Sequence, residues 1–154
     1  HGGSIRIYVS KDKNKKVETN VKKMLQEEKK FGIEKFDTYK KFGEKVYKIR
    51  ENILNNFKHL KRKHKKIIGY GAPAKATTAL NFYGISHQID FIVEDNSLKH
   101  NKYIPGVRIP IKSKKIIKND KNTMIVLAWN FFKDIKKNNS NFFKNIINIK
   151  DLEN

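Results

Sequence analysis

Residues 65–85 read KKIIGYGAPAKATTALNFYGI, and this stretch decides the fold of the chain. The apolar pair Ile67–Ile68 runs into the glycine turn Gly69–Gly71. Apolar residues then recur every three or four positions from Ala76 to Tyr83, which is the period of a helix. Gly84 follows, at a position where helices commonly end on glycine. The pattern predicts a buried strand, a tight turn and a helix.

The turn also carries a phosphate-binding pattern. Gly69, Gly71 and Ala74 satisfy G-x-G-x-x-A, the fingerprint of nucleotide-binding βαβ units. Glycine lets an oxyanion approach the backbone, and a helix start directs free N–H groups at it. The pattern favours phosphate contact, although Pro73 removes one N–H group, and a turn without any ligand is the alternative. The residues predicted to bind substrate here are Gly69, Tyr70, Gly71, Ala72 and Lys75.

Composition limits the class of protein. The 154 residues are enough for one domain with a buried core. The absence of cysteine excludes a disulfide framework and a thiolate metal site, and it fits a reducing cytoplasm. We predict a cytoplasmic protein without a metal site or a membrane partner, since no apolar run approaches membrane-spanning length. The chain starts at His1 and not at methionine, which we interpret as a piece of a longer protein.

The net charge of +20 at pH 7 is the most unusual number in the composition. Such a charge attracts nucleic acid, anionic membranes or phosphorylated ligands. Lysine supplies almost all of it, however, whereas recognition of bases and phosphates favours arginine forks. The basic residues are also spread along the whole chain. We therefore interpret the charge as compositional drift and predict no specific nucleic-acid partner.

Two helices and a strand are predicted before the glycine turn. Residues 4–10 alternate between apolar and polar side chains, which is typical of a half-buried strand, here entering from a preceding domain. Residues 17–31 and 38–64 show helical periodicity and form a predicted helical pair over 17–64. Residues 65–150 then form the predicted α/β core.

Three further strands are predicted within this core, at 89–93, 124–128 and 146–149, with a short extended piece at 107–111. A short helix is predicted over 114–118, and Asn130 is expected to cap another that runs to about Lys137. The fold class is α/β, a Rossmann-like open, mostly parallel sheet preceded by two helices.

Polar residues follow the ends of these strands. Glu94 and Asp95 lie about 20 residues beyond the glycines, where an acid holds the ribose in dinucleotide-binding units. Because parallel strands end at the same edge of a sheet, three separate segments should converge there on one crevice. Besides the turn residues, those predicted to bind substrate are Glu94, Asp95, Asn96, Trp129 and Asn130.

Four blocks of sequence carry a family resemblance. They are HGGSIRIYV, GYGAPAKATTALNFYGI, FIVEDNSLKHNKYIPGVRIPI and IVLAWNFFKDI. In content, order and spacing they resemble the C-terminal domain of S-adenosylmethionine-dependent sugar C-methyltransferases. The resemblance covers nearly the whole chain and is weakest over the two early helices.

The resemblance implies a function for the whole enzyme. A zinc-binding N-terminal segment and a methyltransferase domain that binds S-adenosylmethionine would precede this domain. The domain would help to bind a nucleotide-linked keto-sugar in the cleft between domains, with no cofactor of its own and no activity alone. The catalytic groups of the family lie mainly upstream, and only His1 is implied here as a catalytic residue. The alternatives are a separate NAD- or nucleotide-binding module and a basic nucleic-acid-binding domain.

Overall fold

A computed structural model describes residues 4–64, 66–117 and 120–154, and the side chains of all of these except 120 and 121. Two compact units make up the chain, residues 1–46 and 47–154. The helices are α1 (Thr19–Phe31), α2 (Phe36–Lys63), α3 (Ala74–Tyr83) and α4 (Phe132–Asn139). The strands are β1 (Ile67–Tyr70), β2 (Phe91–Glu94), β3 (Ile111–Ser113), β4 (Asp120–Val126) and β5 (Phe143–Asn148).

The second unit contains a parallel five-stranded sheet in the order β3-β2-β1-β4-β5. In the register of the sheet, Gly69 lies opposite Ile92 on one side and Ile125 on the other. The order reverses between β1 and β4, which makes that position the topological switch point of the sheet. The predicted α/β, Rossmann-like fold is confirmed.

Each face of the sheet buries its own apolar cluster, because successive strand residues point to opposite faces. Ile67 faces one cluster together with Phe57 of α2 and Leu80 of α3. Ile68 faces the other, which includes Phe143 and is covered in part by Phe132 of α4. The continuous apolar runs in β1 and β4 thus reflect strands that are buried on both faces.

The first unit has a different character. Over residues 4–46 only Gly32 is buried, although α1 and the start of α2 carry many large apolar side chains. Gly32 ends α1 in the left-handed conformation, with φ of 84°. Both predicted early helices are present, and their observed bounds lie within two residues of the predicted ones.

The predicted strand over residues 4–10 is wrong. These residues have no strand structure, and the expected inward side chains Ile5, Ile7 and Val9 are 61%, 72% and 91% exposed. Alternation produces a strand only where a neighbouring strand takes up the backbone hydrogen bonds. The described residues of this unit include no second strand.

The later elements are confirmed in kind, and their bounds are shifted. The extended piece expected at 107–111 begins only at Ile111, as β3, and the helix at 114–118 is a short 3-10 turn, Lys114–Ile116. Asn130 does not cap α4, which was a wrong prediction. It lies inside the 3-10 turn Trp129–Phe131, and α4 starts two residues later.

Candidate functional site

The candidate site lies where β1 and β4 end side by side at the switch point. The backbone N–H of Leu127 donates to the carbonyl of Tyr70 at 2.9 Å, so the two strands remain paired to their last residues. The chain then leaves β1 through α3, on the face of Phe57, and leaves β4 through α4, on the opposite face. This divergence is what opens a crevice at the carboxyl edge of such sheets.

Packing alone explains both fingerprint glycines. A Cβ atom on Gly69 would lie 2.7 Å from Ile92 Cγ1 and 3.1 Å from Leu127 Cδ1. A Cβ atom on Gly71 would lie 2.8 Å from Ala128 Cβ, and the φ of Gly71 is +87°. The space next to each glycine is therefore occupied by the protein itself. No ligand is needed to account for glycine at either position.

The N–H groups of the glycine turn are also occupied. Gly71 donates its N–H to the carbonyl of Val93 at 2.8 Å, and Ala72 donates to Glu94 Oε2 at 2.8 Å. Pro73 has no N–H to offer. Tyr70 and Ala72 are only 6% and 8% exposed. The turn is a buried joint between β1 and β2.

Glu94 is held in its ionised form at this joint. Burial raises the pKa of Glu94, but hydrogen bonds from the N–H groups of Ala72 and Asn96 and the charge of Lys99 outweigh it and leave the pKa below its ordinary value. Lys99 Nζ lies 3.6 Å from Glu94 Oε2 and donates to the Ala72 carbonyl at 2.9 Å. The turn therefore faces a negative charge of the chain itself.

Asp95, the next residue, makes its contact on the opposite face of the sheet. The Tyr70 hydroxyl donates to Asp95 Oδ2 at 2.7 Å. Burial and the neighbouring Asp95 raise the pKa of Tyr70, so the phenol stays neutral. Asn96 uses its side-chain oxygen to accept the N–H of Leu98 at 3.0 Å, which shapes the loop after β2.

A different arrangement surrounds Trp129 at the end of β4. Lys75 Nζ lies 4.0 Å from the centre of the half-buried Trp129 ring, and Lys150 Nζ lies 5.6 Å from it. Cations are attracted to the face of an indole, which accounts for both positions. Burial, and then the positive charge of Lys150, lower the pKa of Lys75. The two ammonium groups are thus close enough to repel each other.

One carboxylate neutralises one of these two lysines. Lys150 Nζ lies 2.9 Å from Glu153 Oε1, and the Tyr83 hydroxyl donates to the same oxygen at 3.4 Å. Burial and Glu153 raise the pKa of Tyr83 to about 12. In the described part of the chain no carboxylate lies within 4.0 Å of Lys75 Nζ. The cluster therefore keeps one uncompensated positive charge.

The C-terminal residues are fixed beside this cluster by α2. Asn52 Nδ2 donates to the carbonyl of Glu153 at 2.9 Å, and Asn56 Nδ2 donates to that of Leu152 at 3.0 Å. Leu152 is buried in the same apolar cluster as Phe57. The carboxylate of Glu153 is accordingly anchored through its own backbone.

The start of α3 provides two more donors. Pro73 stands at the capping position and has no side-chain oxygen, and no side chain caps this helix. Among the described residues the N–H groups of Ala74 and Lys75 donate no hydrogen bond. Such groups carry the positive end of the helix dipole.

The predicted site residues that the structure describes thus divide into three groups. Gly69, Tyr70, Gly71, Ala72 and Glu94 form the buried joint, while Lys75 and Trp129 meet at the next strand end. Asp95, Asn96 and Asn130 are exposed at the same edge. His1 lies outside the described residues. No group of three His, Cys, Asp or Glu residues within the described ranges is arranged to hold a metal ion.

Sequence reasoning missed Lys99, His100 and Lys150. Lys99 and His100 both contact Glu94, His100 through its ring Nε2 at 2.7 Å from the Glu94 carbonyl. Lys150 comes directly after the last predicted strand, and its position at a parallel strand end was the one available signal. Because lysines occur throughout the chain, that signal was lost among them.

Comparison with known proteins gives the family. Residues 1–148 match the model of the C-methyltransferase C-terminal domain. The chain is 33% identical over 148 residues to the C-methyltransferase NovU of Streptomyces niveus. The aligned region covers 94% of this chain and 35% of that protein. The chain belongs to the C-methyltransferase C-terminal domain family, and it spans about a third of the length of this curated relative.

Proposed function

We propose that, as a member of this family, the chain is the substrate-side domain of an S-adenosylmethionine-dependent C-methyltransferase that acts on a nucleotide-linked keto-sugar. The match to the family over residues 1–148 supports a role in C-methylation. The observation that carries the sugar-nucleotide part is the meeting of the α3 start, the loop after β2 and Trp129 at one carboxyl edge of the sheet. Parallel sheets of this kind bind nucleotides at that edge.

The proposed reaction divides the work between this domain and the remainder of the enzyme. A base in the enzyme would remove a proton from the sugar carbon beside the keto group, and S-adenosylmethionine, when bound, would supply the methyl group to that carbon and be left as a thioether. The relative is almost three times as long as the matched region, so we assign cofactor binding and the base to the part that this chain does not match. His1 remains the one residue of this chain predicted to reach the reacting sugar.

The share proposed for this domain is binding and orientation. Holding the nucleotide at a fixed edge places the attached sugar at a fixed distance from the methyl donor, which raises the effective concentration of the reacting groups. Positive charge at this edge favours an anionic diphosphate.

In the described ranges no helix combines the length and apolarity needed to cross a membrane.

Calorimetric titration of the 154-residue chain tests this proposal. UDP-glucose and dTDP-glucose should bind saturably at physiological salt, whereas S-adenosylmethionine should not bind with micromolar affinity. A methyl-transfer assay on the chain alone should give no product. Tight binding of S-adenosylmethionine, or no binding of either nucleotide sugar, would contradict the proposal.

NAD is a second candidate ligand, because the sheet order and the G-x-G-x-x-A pattern also occur in dinucleotide-binding units. Against it, the acid expected to hold a ribose, Glu94, is bound to Ala72 and Lys99 instead. Including NAD in the same titration separates the two functions. NAD binding more tightly than both nucleotide sugars would favour the dinucleotide module.

A further inference from the structure

We infer that the diphosphate of the substrate binds at the end of β4, against Lys75 and Lys150 on the Trp129 ring, and not on the glycine turn at the end of β1. The identity of the ligand rests on the proposed function. The location rests on the contacts of the two strand ends, and it adds Lys150 to the binding residues.

The glycine turn has neither the donors nor the charge for a phosphate. The N–H groups of Gly71 and Ala72 already donate to Val93 and Glu94. A phosphate that replaced the Glu94 carboxylate would leave that charge buried beside it, and two like charges at such distances repel strongly. The Cβ position of Gly71 is in contact with Ala128, so the glycine leaves no open path to the backbone.

The Trp129 cluster has the opposite properties. Two ammonium groups lie on one indole ring, and Glu153 is the one carboxylate within 4.0 Å of either of them among the described residues. An anion placed between them relieves their repulsion and forms charge-assisted hydrogen bonds with both. A diphosphate carries enough charge and enough oxygen atoms to contact both lysines at once.

The start of α3 adds to this environment. Lys75 lies in the first turn of a ten-residue helix whose first two N–H groups find no acceptor among the described residues. Helix starts of this kind favour anions through their N–H groups and dipole. Lys75 therefore supplies positive charge in two ways, from its ammonium group and from its backbone N–H.

Trp129 reports directly on this site, because it is the single tryptophan of the 154-residue chain. An anion that draws Lys75 away from the ring changes the environment of the indole. Titration with inorganic pyrophosphate and with UDP, at fixed ionic strength, should therefore give a saturable change in tryptophan fluorescence. Calorimetry on the same samples gives the dissociation constants.

Substitutions of the two lysines test the location. Lys75→Met and Lys150→Met keep most of the apolar stem over the ring and remove the charge, so each should weaken UDP binding about tenfold or more. Lys114→Met is the matched control, since Lys114 Nζ also lies on an aromatic ring, 5.2 Å from the centre of Phe142. It should change the UDP dissociation constant less than about twofold, the range of surface substitutions. Thermal unfolding verifies that each variant is folded.

Two carboxylate variants give results that mere loss of structure cannot produce. Glu153→Gln removes the negative charge that competes for Lys150, so UDP should bind several-fold more tightly. Glu94→Gln removes the charge at the glycine turn and should leave UDP affinity unchanged. If UDP instead bound more tightly to Glu94→Gln and equally well to both lysine variants, the diphosphate would lie on the turn and the inference would be wrong.

The outcomes for the two proposals can be told apart. Saturable binding of UDP and UDP-glucose that is insensitive to Lys75→Met and Lys150→Met would overturn the location and leave the proposed function standing. Absence of binding to the wild-type chain would overturn both. Binding of pyrophosphate that depends on both lysines, without binding of UDP-glucose, would support the anion site and contradict the proposed substrate.

Discussion

The ends of β1 and β4 lie side by side in one sheet, yet they differ in what their residues contact. The end of β1 is a glycine turn whose N–H groups, side-chain space and charge are all taken up by β2 and β4. The end of β4 carries an aromatic ring with two ammonium groups and one carboxylate. The nucleotide-binding pattern in the sequence thus lies at the end of β1, where the protein itself occupies the N–H groups and the space. The uncompensated positive charge lies at the neighbouring end of β4.

This difference shows that a glycine fingerprint has two separate physical causes. Glycine is required where a ligand approaches the backbone, and it is equally required where another strand does. In this chain the neighbours of Gly69 and Gly71 are Ile92 and Ala128. The fingerprint therefore marks the carboxyl edge of the sheet for a packing reason.

The largest expected effect tests the packing cause at Gly69. Gly69→Val should lower the free energy of unfolding by roughly 3 kcal/mol, because its Cβ would overlap Ile92 and Leu127 inside the sheet. Urea unfolding measures this change. Gly43→Ala is the control: apart from its chain neighbours and the nearby backbone of α2, no described atom lies within 4 Å of its Cβ position, and it should stabilise by about 0.5–1 kcal/mol. A Gly69→Val chain as stable as wild type would leave ligand approach as the reason for this glycine.

A smaller effect tests the charge that closes the turn. Glu94→Gln should cost about 1–2 kcal/mol at pH 7, because the Ala72 N–H and the Lys99 ammonium lose an ionised acceptor. The pKa of Glu94 is lowered in the folded chain, so its stabilising effect is complete above the ordinary value of 4.5 and is lost as pH falls through the folded pKa.

Urea unfolding of wild type and Glu94→Gln at several pH values checks this sign. The difference in stability between them should be constant near neutrality and should shrink below pH 4.5. The control variant is Glu51→Gln. Glu51 forms an exposed ion pair with Lys48 on α2, and little change in stability is expected from its loss. A gap between wild type and Glu94→Gln that widened in acid would contradict the arrangement at the turn.

The smallest effect concerns the second strand end. The pKa of Lys75 is lowered, first by burial and then by repulsion from Lys150. Lys150→Met should therefore raise the pKa of Lys75 toward its ordinary value of 10.5 without reaching it, since burial remains. NMR titration of isotope-labelled lysine side chains measures this shift. An unchanged pKa in the variant would mean that the two ammonium groups do not share the ring.

Much of the fold could be predicted, because it depends on local periodicity. Both strands of the central pair contain a short apolar run, Ile67–Ile68 in β1 and Met124–Val126 in β4, and α3 follows from apolar spacing and a terminal glycine. Residues 4–10 show where such reasoning fails. Their alternation is as regular as that of any strand, yet strand formation depends on a partner that the sequence of the segment does not contain.

The candidate site could be predicted only in part. The strand ends fix which residues reach the carboxyl edge, and that placed Lys75, Glu94 and Trp129 there correctly. They do not fix what each residue contacts. Glu94 was expected to face a ribose and instead closes the glycine turn, while Lys150 was not expected at all.

By itself the sequence determined the class of the fold, its order of elements and which residues reach the carboxyl edge of the sheet, because apolar periodicity and turn residues act over a few positions. Only the tertiary structure decided which strand end is closed and which keeps a free charge. That outcome depends on contacts between residues far apart in the chain, from Ala72 to Glu94 and from Lys75 through Trp129 to Lys150. Contacts of this kind form only when the packed sheet brings separate segments together, and they carry no local pattern.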